Sequence, residues 1–241
     1  MQNIKSSAEH TAPDHPLFAA YPQLWGSISQ TARLCSFDRD EEVIHHGDAA
    51  GALWLVVSGW VKITRQTPDG KETVIGLCTH GDVFGEAALF LHANYPYNAQ
   101  VLVDDTRMVL IAADAVRRVV ERDASIASGI MSMLNERISQ TQLKFEHMST
   151  MSASQRLGCF LLRLCHTQAN GAKTLQIPVE KHILAAYLGM KPETLSRSQQ
   201  QLKPLGVSVA GHDITISNIQ RLREFVCNSC SESGSCDAEE V

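Results

Sequence analysis

The chain of 241 residues has no apolar run near the roughly 18–20 residues that a membrane-spanning helix needs, which excludes a helical span. It has no excess of positive charge. Lys and Arg number 21 against 26 Asp and Glu, a formal net charge of −5, so nucleic-acid binding would have to come from a local basic patch. The opening stretch MQNIKSSAEHTAPDHPLF has no apolar core and no cleavage site, and does not read as a secretory signal. Internal repeats and low-complexity tracts are missing too. With no export signal, the seven cysteines, an odd number, point to reduced thiols and a cytoplasmic protein. What is present is a 44% hydrophobic content, enough for a sizeable core, in a length that suits two domains better than one.

Residues 1–20 read as a disordered lead-in. From 21 to 113 short apolar runs are cut by glycine at 47, 51, 59, 70, 76, 81 and 85. WLVVSG and VKITRQ are β-like, and Asp69-Gly70 in TPDGKE marks a tight hairpin turn, because glycine tolerates a positive φ there. Many short strands at this spacing predict a β-barrel or jelly roll. From 114 to 149 there is one glycine and no proline. Ile126, Ile130, Met133, Ile138, Thr141, Phe145 and Met148 recur at threes, fours and fives, which predicts one long helix with an apolar stripe. A homodimer would cover that stripe, and the alternative is a helix folded back on its own barrel.

Beyond it, SASQRLGCFLLRLC predicts a helix with Leu157, Phe160, Leu161 and Leu164 on one side. EKHILAAYLG and PETLSRSQQQLKPLG are two helical segments parted by Gly189, the arrangement of a helix-turn-helix. Leu184, Ala185, Leu188 and Leu195 would form its apolar hinge. Pro192 sits where a second helix begins, a place that needs no amide hydrogen. The face after it offers Glu193, Thr194, Ser196, Arg197, Gln199 and Gln200. Arg can fork onto guanine O6 and N7, and Glu can accept from the cytosine amino group. Lys181, Lys191, Arg197 and Lys203 supply charge for phosphates. The plain alternative is a helical hairpin with a solvated face. VSVAGHDITIS predicts a hairpin turning at Gly211-His212-Asp213, and NIQRLREFV a last helix.

IPVEKHILAAYLGMKPETLSR closely resembles the winged helix-turn-helix of the Crp/Fnr family of bacterial transcription regulators. HGD, VSGWVKI, DGKETVIG, HGDVFGEAALF and ITISNIQRL fall in that family's places, over roughly residues 20–226. The resemblance implies an α+β protein: a β-roll of the cyclic-nucleotide-binding type at 21–113, a dimerisation helix at 114–149, and a winged helix-turn-helix at 150–226. It implies a regulator rather than an enzyme, with double-stranded DNA, a second copy of the chain and RNA polymerase as partners. The FNR-like branch carries Glu-x-x-Ser-Arg in its recognition helix, here Glu193, Ser196 and Arg197, which implies a TTGA-like palindrome. An enzyme using the roll as a regulatory module is the rival class, but no room is left for a catalytic domain.

Family members that bind cyclic AMP follow Gly-Glu with an Arg-Ser/Thr-Ala stretch whose Arg pairs with the cyclic phosphate. Gly85 and Glu86 are here, but Tyr97 and Asn98 occupy the Arg and Ser/Thr places. A buried phosphate without such a partner is poorly compensated, so the expectation is a degenerate effector pocket that takes no cyclic nucleotide. The texture is similar to the family's nitric-oxide and anaerobic regulators, some of which hold haem. His45, His46, His80 and His92, with Cys78 nearby, are the haem candidates, and a haem-based nitric-oxide or carbon-monoxide sensor stays open.

The chain closes on Cys227-x2-Cys230-x5-Cys236, within an acidic tail at 227–241. FNR-type oxygen sensors carry such spacing near the N-terminus for an iron–sulfur cluster, whereas the first cysteine here is Cys35, alone. Some Gram-positive relatives carry a C-terminal trio, and this chain looks like them. The resemblance implies an iron–sulfur cluster of the [4Fe-4S] type, read by oxygen, nitric oxide or redox state, on Cys227, Cys230 and Cys236. The fourth ligand is open among Cys159, Cys165, Cys35, Cys78, Asp123 and Glu136. Leu110 stands where the enterobacterial sensor keeps its fourth cysteine. Zinc suits such sulfur sites equally, and an unliganded acidic tail with another small-molecule effector is the bland alternative.

Overall fold

The computed structural model describes residues 15–90, 93–167 and 174–227. The chain divides into two compact units, Met1–Arg137 and Ile138–Val241.

The first unit begins with two short helices, α1 (Pro16–Ala20) and α2 (Pro22–Ile28). The lead-in expected to be disordered through residue 20 is therefore helical from Pro16. His15 caps α1 by accepting from the Leu17 amide at 3.1 Å, Pro16 presets its first turn, and Phe18 is buried edge-on against Trp25 at 5.3 Å.

Eight strands follow: β1 (Arg33–Phe37), β2 (Glu42–Ile44), β3 (Ala52–Ser58), β4 (Val61–Gln66), β5 (Glu72–Cys78), β6 (Val83–Phe84), β7 (Asn98–Val101) and β8 (Thr106–Ala112). They pair antiparallel into two four-stranded sheets, in the orders β1-β8-β3-β6 and β2-β7-β4-β5. The expected roll is thus present. β3 lies inside its sheet, so Leu53, Trp54, Leu55 and Val56 are all buried, which is why that strand reads as a continuous apolar run rather than an alternation. The β4–β5 hairpin turns at Gly70, whose φ of +81° is the left-handed conformation that the Asp-Gly pair announced. Each large side chain sealed in this core, such as Phe84, Leu55 or Ile44, contributes about 1.5–3 kcal/mol of burial.

The long helix is interrupted. α3 (Ala113–Arg122) and α4 (Ala124–Thr150) are separate, which corrects the expectation of one helix over 114–149. Asp123 is the cause. Its backbone is extended, and its carboxylate accepts from the Ser125 amide at 2.9 Å and the Ser125 hydroxyl at 2.6 Å, capping α4. Those same bonds, the Ser125 hydroxyl first, hold the Asp123 carboxyl below its ordinary range. The expected single stripe also divides. Ile126 and Ile130 are buried in the core of the roll. Met131, Ile138 and Phe145 lie seven residues apart and are 69%, 56% and 74% exposed.

The second unit contains the end of α4, then α5 (Ala153–Thr167), β9 (Thr174–Gln176), α6 (Lys181–Tyr187), α7 (Pro192–Leu202), β10 (Val207–Ala210), β11 (Asp213–Ile216) and α8 (Ile219–Cys227). Leu157, Leu161, Leu164, Leu175 and Leu195 are fully buried at its centre. The sheet runs β10-β11-β9. Gly158 lets α8 approach α5 closely, since a Cβ there would stand 2.6 Å from a Val226 methyl.

Candidate nucleic-acid interface and effector pocket

In the second unit α6 and α7 are joined by Leu188–Lys191 with Gly189 at φ +65°, a tight turn between two helices. Lys191 is the residue before α7, and Pro192 opens it. Leu195, Ser198 and Leu202 are buried on one side of α7, and Glu193, Arg197 and Gln200 are exposed on the other, at i, i+4 and i+7. Thr194, Ser196 and Gln199 are half-buried at the margins. The Ser196 hydroxyl donates to the Pro192 carbonyl at 3.1 Å, which leaves its oxygen as an acceptor on the surface. Among the described residues no side-chain hydrogen bond or ion pair engages Glu193, Arg197 or Gln200. Lys181, Lys191 and Lys203 are exposed at the ends of the two helices. The β10–β11 hairpin, turning at Gly211 with φ +64°, supplies the wing. A face of one fork-shaped cation, one carboxylate and one amide, flanked by lysines, can donate hydrogen bonds to base edges and accept them, and can set positive charge against phosphates.

The expected effector pocket lies in the first unit, where a 3-10 turn, Glu86–Leu89, follows β6. Gly85 begins it with φ +89°, and a Cβ there would stand 2.7 Å from the Ala52 carbonyl oxygen, so no other residue fits without a shift. Tyr97 reaches this turn with its hydroxyl. Its hydroxyl accepts from the Gly85 amide at 2.7 Å and donates to the Glu86 carboxylate at 3.2 Å. Burial, and then the Glu86 charge, raise the phenol above its ordinary pKa, so it keeps the proton that it donates. The other Glu86 oxygen lies 3.5 Å from Arg137 Nε on α4. Nothing in the sequence singles out Arg137, which is there one more charged residue at a helical position. Asn98 is not with this group: its amide oxygen accepts from the His46 backbone N–H at 2.7 Å.

Among the described residues the haem candidates do not converge. His45 pairs with Glu42 at 2.7 Å, and His80 Nδ1 is 2.8 Å from the Val57 carbonyl oxygen. His45, His46 and His80 are exposed, Cys78 is buried, and His92 lies outside the described residues. An apolar cavity of about 30 Å³ lined by His15, Phe18, Ile28, Ile130 and neighbours is far too small for a porphyrin.

Of the cysteine trio, Cys227 is the last residue of α8 and is half-buried, and Cys230 and Cys236 lie outside the described residues. Among the described residues no three His, Cys, Asp or Glu side chains are grouped to hold a metal ion. Of the fourth-ligand candidates, Cys35, Cys78 and Cys165 are buried. Burial raises all three thiols, that of Cys78 to about 12. Asp123 caps α4, and Glu136 is an exposed residue of α4. Cys159 is half-buried, shares the unit that holds Cys227, and lies 3.9 Å from His147 Nδ1. Brief alkylation of iron-free native protein at neutral pH is therefore expected to label Cys159 and Cys227 before Cys35, Cys78 and Cys165. Peptide mass spectrometry reads this, and Cys78 labelling as fast as Cys227 would contradict the sealed core.

A β-roll and a winged helix-turn-helix on one chain define the class: a DNA-binding transcription regulator. Residues 34–123 match the cyclic nucleotide-binding domain, and residues 155–225 match the Crp-like helix-turn-helix domain. The chain belongs to the Crp/Fnr family. The anaerobic regulatory protein of Aggregatibacter actinomycetemcomitans is 30% identical over 184 residues, 74% of this chain and 70% of that protein. The CRP-like cAMP-activated global transcriptional regulator of Mycobacterium tuberculosis (strain ATCC 25618 / H37Rv) is 24% identical over 205 residues, 83% of this chain and 91% of that protein. Among solved structures, FixK2 from Bradyrhizobium japonicum superposes with a TM-score of 0.72 at 25% identity, covering 80% of this chain and 96% of that one. These relatives are regulators, not enzymes. No described helix is long and apolar enough to cross a membrane.

Proposed function

We propose that this protein is a homodimeric regulator that binds TTGA-like palindromes and reads oxygen, nitric oxide or redox state through an iron–sulfur cluster on Cys227, Cys230 and Cys236. The observation that carries the sensing part is the Cys-x2-Cys-x5-Cys spacing, which starts on the last residue of α8. The fit rests on the donor set. Thiolates suit iron, and the one described member, Cys227, is half-buried at the end of α8 rather than sealed in the core. A bound cluster would supply lability to oxygen and nitric oxide. The chain's own contribution would be the three thiol ligands, the first of them on the last residue of α8.

Dimerisation is supported by the exposed, seven-spaced Met131, Ile138 and Phe145 of α4, a seam that a second copy of the helix would cover. DNA reading is assigned to Glu193, Ser196 and Arg197, with Thr194 and Gln200 beside them and Lys191 on phosphate. RNA polymerase is the further partner of a regulator that activates. The test is anaerobic purification followed by one absorption spectrum and an assay of iron and sulfide. A brown protein with both, bleached by air or nitric oxide, is expected. A colourless iron-free protein, or one with a haem spectrum, would overturn the sensing part.

The roll is not the receptor for a cyclic nucleotide in this reading. Tyr97 holds the Gly85 amide and Glu86 where cyclic-AMP-binding members carry their Arg, and the guanidinium beside Glu86, that of Arg137, is paired with the carboxylate. Titration calorimetry with cyclic AMP is expected to show no saturable heat at micromolar ligand, and a stoichiometric isotherm would overturn that expectation.

A further inference from the structure

Arg156, on α5, is a half-buried cation whose side-chain hydrogen bonds all go to carbonyl oxygens. Its Nε donates to the Leu188 carbonyl at 3.0 Å, its Nη1 to the Met151 carbonyl at 2.8 Å, and its Nη2 to the Gly189 carbonyl at 3.5 Å. Among the described residues no carboxylate pairs with it. Burial lowers its pKa, but a guanidinium stays charged in a protein. The three acceptors have a common character. Met151 directly follows α4, and Leu188 and Gly189 directly follow α6, where helix carbonyls lack intrahelical partners and carry partial negative charge. One planar fork therefore closes two helix C-termini and the turn between α6 and α7.

Other contacts converge on the same joint. A Cβ at Gly189 would stand 2.7 Å from the Met148 methyl, so the turn lies directly against α4. Lys144 Nζ is 3.8 Å from the centre of the Tyr187 ring, whose hydroxyl accepts from Arg163 Nη2 at 3.1 Å. Lys144, Met148 and Met151 follow one another at i, i+4 and i+7 along one face of α4 and just past its end. The end of the helix proposed to pair two copies is thus fastened to the turn that precedes the helix proposed to read DNA.

We propose that Arg156 is a positioning residue for DNA recognition: it fixes the angle between α4 and the helix-turn-helix, and so the separation at which the two α7 helices of a dimer meet successive half-sites. The proposal rests on the dimeric, palindrome-reading function above. A rigid joint makes affinity depend steeply on half-site separation, because each added base pair rotates and displaces one half-site against the other. A loosened joint lets each α7 follow its half-site and flattens that dependence. A merely structural arginine would on removal lower melting temperature and affinity for every duplex by the same factor, leaving the dependence as it was.

The test measures binding of the full chain and of Arg156→Met and Arg156→Lys to duplexes whose half-site separation changes by single base pairs. Melting temperatures are read alongside. For the parent, affinity is expected to fall about tenfold or more per base pair off the optimum, and for Arg156→Met about threefold or less. Base discrimination within a half-site should be unchanged, since α7 keeps its side chains. Arg156→Lys should fall between, because an ammonium lacks the fork that reaches both helix ends. An Arg156→Met profile as steep as the parent's overturns the proposal. Should that variant fail to fold, Arg156→Lys decides in the same way, and a parental profile in it overturns the proposal. A parent indifferent to paired sites removes the reading beneath the proposal, and the proposal falls with it.

Discussion

Serine at Cys227, Cys230 and Cys236 together is expected to give a folded, DNA-binding protein with no iron, no sulfide and no difference between binding in air and under nitrogen. The effect is all-or-none because serine hydroxyls do not replace thiolates as ligands to iron at neutral pH. The fold should survive. Leu222 and Val226 hold α8 against Gly158 of α5, and Cys227 is a half-buried last residue of that helix. The melting temperature of the iron-free parent and of the serine variant should therefore agree. Cys165→Ser is the control, since that thiol lies in the core of the same unit and its loss should leave iron content alone. A triple variant that still responds to oxygen or nitric oxide would show that the tail is not the sensor. His45, His46 and His80 of the roll would then be the residues to replace.

The parts of this fold that were legible in the sequence are those where one local rule has no competitor. Asp69-Gly70 announces its hairpin because the turn demands a positive φ, and Gly189 before Pro192 announces a break between two helices for the same kind of reason. The division between α3 and α4 was not legible, because the periodicity on both sides of Asp123 is helical and the break depends on a side chain that caps rather than on a proline or glycine. In the sequence Tyr97 stands only as a missing phosphate partner. That its hydroxyl bridges Gly85 and Glu86, twelve and eleven residues earlier, depends on how the loop between β6 and β7 folds back, and no spacing encodes it. Asn98, next to it, points its amide at the His46 backbone, as alternation along β7 allows. Arg137 and Arg156 were invisible for a related reason. A charged residue on a helix looks solvated until the tertiary structure brings Glu86 to the one and two helix ends to the other. The cysteine trio is the reverse case, plain in the sequence and mostly beyond the described residues.

Arg197→Ala is expected to remove about 1–3 kcal/mol of discrimination at one guanine in each half-site, roughly 5- to 150-fold, with little change in the protein's own stability. The magnitude follows from geometry. Arg197 is exposed one turn into α7, and among the described residues no side-chain partner holds its guanidinium, so none is given up when it meets a base. A guanidinium can donate two parallel bonds to guanine O6 and N7, and alanine can donate none. Stability should hold because alanine is the best helix former, and the buried side of α7, Leu195, Ser198 and Leu202, is untouched. Lys191→Ala is the informative comparison. That residue precedes α7 and is exposed, so its loss should weaken binding to all sequences alike and reduce the salt dependence by about one counterion per subunit. Glu193→Ala should act like Arg197→Ala in kind, relaxing preference at a base pair with a cytosine amino group to offer, and by less, because one carboxylate accepts where a fork donates twice. The measurement is a binding titration at fixed salt against the TTGA-like palindrome and its single-base variants. If Arg197→Ala binds the parent palindrome as tightly as the unmodified protein and ranks the variants in the same order, the exposed face of α7 is not what reads the bases, and the wing between β10 and β11 becomes the element to mutate.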